Sequence, residues 1–432
     1  MDIFLFCFIV FYFWLALKKE KWALFLILAL LPLYQVRFKL GFIPLTLLEL
    51  MISVLFISWF LVKTRKNGFK NLILEKWQEL KNWRCLIIVW LCLAAVAVFI
   101  APDKRAAAGI FKAYFLEPIL FLIVLVDSAE REEEKNLVFN GLILSAFYLS
   151  LMAVWQRFFG GGVLSLEVLG QAKVWRATSL FTQPNFLGLY LGPIVLLTLS
   201  RLKLKGQNKF KNLFYLLTIA LSVLAIIFAR SEGALIGVFS GLLFFGLVFN
   251  RTTRRLVLAV LLILMLFIFS FPWLRQYSTE KVLLKDLSGQ LRLNIWRGSI
   301  SLLKTSPLLG VGLSGYQKLI PKFQKPYYQS GQLISVETHP YPHNLYLAVW
   351  LELGLLGLLV FISLIVNFFV LIFKKIKRDV SSRRFFLALG AAMVVLLVHG
   401  LVDTPYFKND LSILFWLIIG LGIAEANLRK GG

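Results

Sequence analysis

The segment HPYPHNLYLAVWLELGLLGLLVFISLIVNFFVLIF, residues 339–373, decides the fold of this chain. From residue 345 onward it is an apolar run longer than the ~20 residues that a membrane-spanning helix needs. Its two prolines lack an amide N–H and disfavour helical geometry in the residues before them, so we expect the helix to begin close to His343 and Asn344. The segment therefore predicts a membrane helix with a histidine at its mouth, beside water.

The position of His343 suits it to chemistry rather than to anchoring. Exposed N–H groups and the positive end of the helix macrodipole disfavour an imidazolium at a helix N-terminus and attract anions. A histidine with an ordinary pKa of about 6.5 is also suited to general-base catalysis near neutral pH. We therefore expect a neutral imidazole that acts beside a phosphate.

The composition is that of a polytopic membrane protein. The chain has 432 residues, of which 59% are apolar, including 40 Phe, and its mean hydropathy is +0.80. A soluble core of this length uses far fewer apolar residues. We therefore predict an all-α integral membrane protein with about 12–13 transmembrane helices. The expected spans lie near residues 3–17, 22–36, 42–62, 84–101, 109–126, 138–156, 185–200, 213–229, 233–249, 256–271, 344–373, 385–402 and 411–426.

The net charge of +25 is explained by the expected membrane topology, so it does not indicate nucleic-acid binding. Most basic residues lie between the expected spans, and connectors rich in Lys and Arg stay on the cytoplasmic side of a membrane. We therefore expect a multi-pass protein of the cytoplasmic (inner) membrane with no nucleic-acid partner. The connectors expected on the cytoplasmic side are 63–84, 201–211, 251–255 and 374–384, and those expected outside are 157–184, 229–232, 272–343 and 403–410.

One connector is much longer than the others and divides the chain. Residues 272–343 carry too many aromatic residues for a disordered segment, and long ordered loops are usually functional. Apolar residues recur near helical spacing over 291–304, which predicts an amphipathic helix at the outer membrane surface. We therefore expect transmembrane helices one to ten in residues 1–271, a long extracytoplasmic loop with short helices, and the C-terminal transmembrane helices in 344–432.

Three motifs follow one another along the last 260 or so residues. The first is RATSLFTQPN at residues 176–185, in the outer connector that also holds three consecutive glycines. The second is RLNIW at 292–296, which runs into PLLGVG at 307–312. The third is HNLYL at 343–347 with ELGLLG at 352–357. In this order they resemble the family of O-antigen ligases and related lipid-linked glycan polymerases.

The resemblance implies a membrane glycosyltransferase of the cell envelope. Such a protein takes a glycan from an undecaprenyl-diphosphate carrier and passes it to a glycan, lipid or protein acceptor on the outer face, as in lipopolysaccharide biosynthesis. No cofactor is implied, and the remaining partners are membrane lipids. The alternative within this class is a polymerase of lipid-linked polysaccharide repeat units, which differs only in its acceptor.

The resemblance also implies roles for individual residues. Arg176 and Arg292 would hold the donor diphosphate, and His343 would be the catalytic residue. This division agrees with the chemistry, because a planar guanidinium binds phosphate oxygens at two points and remains cationic. The base then takes the proton of the acceptor hydroxyl during an inverting, metal-independent displacement at the anomeric carbon.

Three further residues are expected to bind substrate. His339 and Asn344 flank the catalytic histidine, and Arg230 is the candidate in the connector 229–232, although many family members have Ser-Arg where this chain has Ser-Glu. Arg297 is not included, because five residues on a helix rotate a side chain by a net ~140° away from Arg292. His339 and His343 have a helical ligand spacing, but the prolines between them remove the helix that such a metal site needs.

A transporter of polysaccharide or lipid-linked sugar is the second alternative. Acidic side chains inside a membrane are costly and usually functional, and Glu49, Glu117 and Glu352 fall within expected spans. A transporter predicts internal repeats and charges along a path through the membrane. The sequence instead has three scattered glutamates, and its candidate residues for chemistry concentrate on one face.

Overall fold

The computed structural model describes residues 3–40, 43–129, 131–165, 174–202, 208–329, 332–335, 339–378 and 381–428. Parts of the expected connectors 157–184, 201–211, 272–343 and 374–384 lie outside these residues. The chain is 80% helical, which confirms the all-α class. The helices are α1 Ile3–Lys18, α2 Glu20–Ala29, α3 Leu47–Asn67, α4 Phe69–Glu79, α5 Arg84–Ile100, α6 Lys104–Phe111, α7 Glu117–Ser128, α8 Glu132–Phe159, α9 Pro184–Leu199, α10 Lys209–Phe228, α11 Glu232–Phe249, α12 Arg251–Ser270, α13 Pro272–Val282, α14 Leu287–Leu303, α15 Gly315–Leu319, α16 Leu345–Arg378, α17 Arg383–His399 and α18 Asn409–Leu428.

Strands occur only as three short antiparallel hairpins in the connectors of the described chain. A π-helical turn, Lys112–Leu116, joins α6 to α7 into one element, and 3₁₀ turns cover Leu31–Gln35 and Ile320–Lys322. The strands are β1 Arg37–Leu40 with β2 Ile43–Thr46, β3 Val163–Ser165 with β4 Val174–Arg176, and β5 Tyr327–Gln329 with β6 Gln332–Ser335.

The number of helices able to cross a membrane is smaller than expected. Within the described residues eight helices are long and apolar enough, or nine if α4 and α5, which meet at a bend of 101°, form one span. The sequence predicted twelve or thirteen. The difference arises because α1, α2, α9 and α17 contain 16, 10, 16 and 17 residues, fewer than the ~20 of a full span. The long connector does contain short helices, α13 to α15, as predicted.

The helices differ in how far they are buried, with α18 at the centre of the bundle and α12 at its edge. Every residue of the apolar stretch of α18 is buried, whereas α12 has no buried residue. Helix α17 packs against both α9 and α11 and continues the core formed around α18. Because lipid is as apolar as the side chains themselves, an exposed apolar helix such as α12 belongs at the lipid boundary. The connector between α17 and α18 therefore begins and ends in the middle of the bundle.

That connector, residues 400–408, is fixed by polar contacts that are unusual in an apolar core. Tyr406 is fully buried, and its hydroxyl accepts hydrogen bonds from the indole N–H groups of Trp90 and Trp416, both at 3.2 Å. The same hydroxyl donates to the carbonyl of Tyr114 at 2.9 Å. Buried polar groups without partners are costly, so this network holds the connector in one conformation. We call residues 400–408 the central connector.

Helix α16 is interrupted where the long connector packs against it. Gly354 has φ 74°, and the amide of Leu355 donates to the carbonyl of Leu308 at 3.0 Å instead of bonding within the helix. The amide of Val311 in turn donates to the carbonyl of Leu351 at 2.7 Å. The long connector therefore takes over hydrogen bonds that the helix gives up at Gly354.

Replacing Gly354 with alanine should destabilise the protein. A Cβ at this position would lie 2.2 Å from the carbonyl oxygen of Leu308, and a positive φ strains any residue with a side chain. We expect Gly354→Ala to lose about 1–3 kcal/mol of stability, seen as a lower midpoint of thermal unfolding in detergent micelles.

The matched control is Gly109→Ala in α6, where no atom lies within 4 Å of the added Cβ. Alanine is favoured over glycine in a helix, so this variant should unfold at the same temperature as the parent or higher. Equal midpoints for Gly354→Ala and the parent would show that the break in α16 carries no strain.

Candidate functional site

The N-terminal end of α16 lies where the prolines before it predicted. The helix begins at Leu345, and the side-chain oxygen of Asn344 caps it by accepting from the amide of Leu347 at 2.9 Å. The amide of the Asn344 side chain donates to the carbonyl of Leu401 at 3.0 Å. His343, with φ +47°, immediately precedes this cap. Asn344 therefore orients the helix and ties it to the central connector.

His343 lies against a buried carboxylate. Its Nδ1 is 3.4 Å from Oδ1 of Asp403, whose side chain is 4% exposed, while the imidazole is 21% exposed. Contacts of this kind are often long in a site without substrate. Since Nδ1 faces Asp403, the other ring nitrogen, Nε2, is the one left for a reacting group.

Asp403 remains ionised because its neighbours outweigh its burial. Burial raises the pKa of this carboxyl, but the hydrogen bond and charge of His343, the charge of His399 and the amide of Thr404 together hold it well below its usual range. The Thr404 amide donates to Oδ1 at 2.9 Å. Asp403 is thus a fixed negative charge beside the imidazole.

Asn185 connects Asp403 to Arg176. Its side-chain amide donates to Oδ2 of Asp403 at 3.2 Å, and its side-chain oxygen accepts from Nη2 of Arg176 at 2.9 Å. Nε of Arg176 donates to the carbonyl of Ala229 at 2.8 Å, and Nη2 also reaches the carbonyl of Arg230 at 3.3 Å. Main-chain oxygens therefore set the plane of the Arg176 guanidinium.

Arg292 reaches the same connector from α14. Its Nε donates to the carbonyl of Val402 at 3.1 Å, next to Asp403, and its Nη1 donates to the hydroxyl of Ser288 at 2.7 Å. Arg297 is exposed on the same helix. The amphipathic helix expected over 291–304 begins four residues earlier than predicted, and only one of its two arginines turns towards the central connector.

The remaining predicted residues lie around this group in different ways. His339 stands edge-on to His343, with ring centroids 5.4 Å apart. Arg230 has φ +49° and an exposed side chain, so its contact with the group is made by its carbonyl. The indole N–H of Trp296 donates to the carbonyl of Pro342 at 3.0 Å and braces the loop just before His343.

Sequence reasoning missed or left undecided two residues of the group around His343, Asp403 and Asn185. Asp403 begins an Asp-Thr-Pro sequence that marks a turn, but nothing local indicates that it faces His343. Asn185 closes the first motif, yet its role as a link appears only in three dimensions. Asp403 lies 60 residues from His343 and 218 residues from Asn185, so no local pattern could have paired it with either.

Lys408, which had no predicted role, is enclosed by aromatic rings below the site. Its ammonium lies 4.8 Å from the ring of Tyr34, 4.2 Å from Phe181 and 4.1 Å from Phe186, and 3.4 Å from Oδ2 of Asp410. Burial lowers the pKa of Lys408 to about 8, against the opposing charge of Asp410. Cation–π contacts with three rings therefore fix the first turn of α9, which carries Asn185, to the central connector.

Two of the three acids expected inside spans, Glu49 and Glu352, have structural partners. Glu49 accepts from Nζ of Lys112 at 3.0 Å and from the side-chain amide of Asn409 at 3.1 Å. Glu352, two residues before the break in α16, accepts from the amide of Ser314 at 2.5 Å. These carboxylates tie helices and the long connector together. Glu117 is buried in α7.

One group of acids in the described residues has a spacing suited to a metal ion. It comprises Glu75, Glu79 and Asp127, in α4 and α7. Lysine ammonium groups already contact these carboxylates: Lys63 is 2.7 Å from Asp127, and Lys76 is 2.8 Å from Glu79. Neutralised in this way, the cluster is an ion-pair network, and none of its members belongs to the group around His343.

Removing Lys408 alone should be far more damaging than removing it with its partner. Lys408→Met leaves the fully buried Asp410 as an unpaired charge, which costs about 3–5 kcal/mol. The double variant Lys408→Met/Asp410→Asn should recover most of that loss. Thermal unfolding in detergent micelles measures both variants.

An exposed ion pair provides the control. Lys318 lies 3.6 Å from Asp103, with side chains 55% and 43% exposed, so Lys318→Met should change stability by less than about 1 kcal/mol. If the double variant were as unstable as Lys408→Met, the aromatic contacts and not the ion pair would be the source of the loss.

Comparison with known proteins identifies part of the chain. Residues 217–362 match the family model described as O-Antigen ligase. No curated protein matches the chain. The matched segment holds Arg230, Arg292 and His343, whereas Arg176 and Asp403 lie outside it and join the group through their contacts. The match covers the second and third motifs, so the resemblance to the O-antigen ligase family is confirmed for residues 217–362 of a polytopic membrane protein.

Proposed function

We propose that the protein is a glycosyltransferase that moves a glycan from an undecaprenyl-diphosphate carrier to an acceptor on the outer face of the cytoplasmic membrane. The family of the matched segment supports activity of the ligase or polymerase type. The carrier, the inverting course and independence from metal are parts of the proposal that rest on the chemistry of the residues around His343.

The observation that carries the proposal is an unbroken series of contacts. It runs from His343 through Asp403 and Asn185 to Arg176, and Arg292 joins it at the carbonyl next to Asp403. A candidate base and two permanent cations from three distant parts of the chain are thereby held at one end of the bundle. Transfer from a diphosphate needs this combination, since one partner must lose a proton while the other leaves with negative charge.

In the proposed reaction the acceptor hydroxyl oxygen attacks the anomeric carbon opposite the diphosphate. The new glycosidic bond forms as the bond from the anomeric carbon to the diphosphate oxygen breaks, and its electron pair leaves with the lipid diphosphate. Nε2 of His343 takes the hydroxyl proton. Arg176 and Arg292 stabilise the charge on the leaving diphosphate, so the proposal assigns no role to a metal ion.

The acceptor decides whether the reaction is ligation or polymerisation. A polymerase would pass the glycan to the next lipid-linked repeat unit and use the same base and arginines. Transport is less well supported, because Glu49 and Glu352 are engaged by Lys112 and by the amide of Ser314 and do not line a path. An assay with both kinds of acceptor separates the two enzyme activities.

Two substitutions should separate binding from transfer. In liposomes that contain a lipid-diphosphate-linked glycan donor, His343→Ala should retain donor binding and lose transfer by about 10²-fold or more. Arg292→Ala should weaken donor binding by about tenfold or more, because a charge-assisted contact is lost. Donor binding and product formation are measured in the same preparations.

Arg297→Ala is the matched control, since it removes the same charge from an exposed position of α14. It should bind and transfer as the parent does. Normal transfer by both His343→Ala and Arg292→Ala would refute the glycosyltransferase proposal and favour transport.

Asp403→Asn should slow transfer and leave donor binding in place. The carboxylate lies 3.4 Å from Nδ1 of His343, so its neutral replacement should lower the rate of transfer by ~10²-fold as the ring loses its orienting charge. Donor binding and product formation are measured in the same liposomes. An unchanged rate of transfer would mean that Asp403 does not act through the base.

A further inference from the structure

A cleft lies at the end of the bundle opposite His343. It has a volume of about 680 Å³ and is bounded by the turn between α4 and α5, the last turns of α16 and the last turn of α18. His343 and the last turns of α16 are separated by some thirty residues, or roughly 45 Å along a helix. The cleft is therefore separate from the proposed transfer site.

The polar part of the cleft is strongly cationic. Among the described residues, its lining contains Lys81, Lys374, Lys375 and Arg378 and one carboxylate, Glu79, which already contacts Lys76. The ammonium of Lys375 donates to the carbonyl of Ala426 at 2.8 Å and so stabilises the C-terminal end of α18. Lys374 and Arg378 are exposed at the mouth. The cleft therefore has an excess of positive charge available to an anion.

An apolar groove continues from the same place along α16. This groove, of about 550 Å³, shares Val370 and Lys374 with the cleft and ends beside Lys377. Val366 and Val370 on its floor are 55% and 57% exposed. In a helix that crosses a membrane, such a groove is filled by hydrocarbon. Lys374 therefore lines both the cationic cleft and the apolar groove.

We propose that the cleft and groove together bind one anionic phospholipid. The phosphate of the headgroup would lie against Lys374, Lys377 and Arg378, and an acyl chain would follow Val366 and Val370. A free phosphate would gain no affinity from the apolar groove, and a lipid with no net charge would gain little affinity from the cations. Basic connectors of this kind are expected on the cytoplasmic side, where anionic lipids attract juxtamembrane lysines.

The binding test compares phosphatidylglycerol with phosphatidylcholine on the full-length protein. Native mass spectrometry after delipidation and lipid addition gives the bound fraction of each lipid. The parent should prefer phosphatidylglycerol by about tenfold or more, and Lys374→Gln/Lys377→Gln should bring the two affinities to within about threefold, since each lysine contributes several-fold in affinity. The double variant binding as the parent does would overturn the proposal.

The matched control is Arg251→Gln/Arg255→Gln. It removes two positive charges from exposed positions of another basic connector expected on the same side, away from the cleft. This variant should keep the preference of the parent. An equal loss in both double variants would mean that overall surface charge, and not this cleft, selects the lipid.

A third variant tests the hydrocarbon part. Val370→Trp leaves every cation in place but fills the point where groove and cleft meet. It should weaken phosphatidylglycerol binding by about tenfold, because the acyl chain loses the apolar surface that it would contact in the groove. Undiminished binding by this variant would rule out the groove and hence the proposed phospholipid.

Discussion

The structure depends on one constraint: a polar connector must satisfy its groups in the middle of an apolar bundle. The central connector, residues 400–408, joins two buried helices, and residues 403–408 are themselves buried. Carbonyl oxygens of the connector accept from Arg292 and Asn344, and its side chains bond to His343 and to the buried indoles. The residues proposed for chemistry are thus the same residues that make this buried turn possible. Stability and site geometry share their contacts.

The features that the sequence predicted were local ones. Apolar content predicts membrane helices, and the two prolines before His343 predict where α16 begins, because each effect acts within a few residues of its cause. The motif resemblance over the second half of the chain is confirmed for residues 217–362. Rotation around a helix was enough to predict that Arg292 and Arg297 point in different directions.

The features that it could not predict depend on distant contacts. More spans were predicted than helices reach the length of a full span, because hydropathy marks an apolar run and not the residue at which its helix ends, as in the 16-residue α9. Asp403 lies 60 residues from His343, and Lys408 is more than 200 residues from the rings that enclose it. The break in α16 at Gly354 is likewise set by a remote carbonyl, that of Leu308.

The carbonyls of Ala229, Arg230 and Val402 set the orientation of the two arginines proposed to bind the donor. A carbonyl oxygen is common to all amino acids, so these contacts do not depend on which side chain stands at the three positions. At these three points the two guanidinium groups depend on the path of the backbone. The requirement for a particular side chain falls on the arginines and on the two side chains that they contact, Asn185 and Ser288.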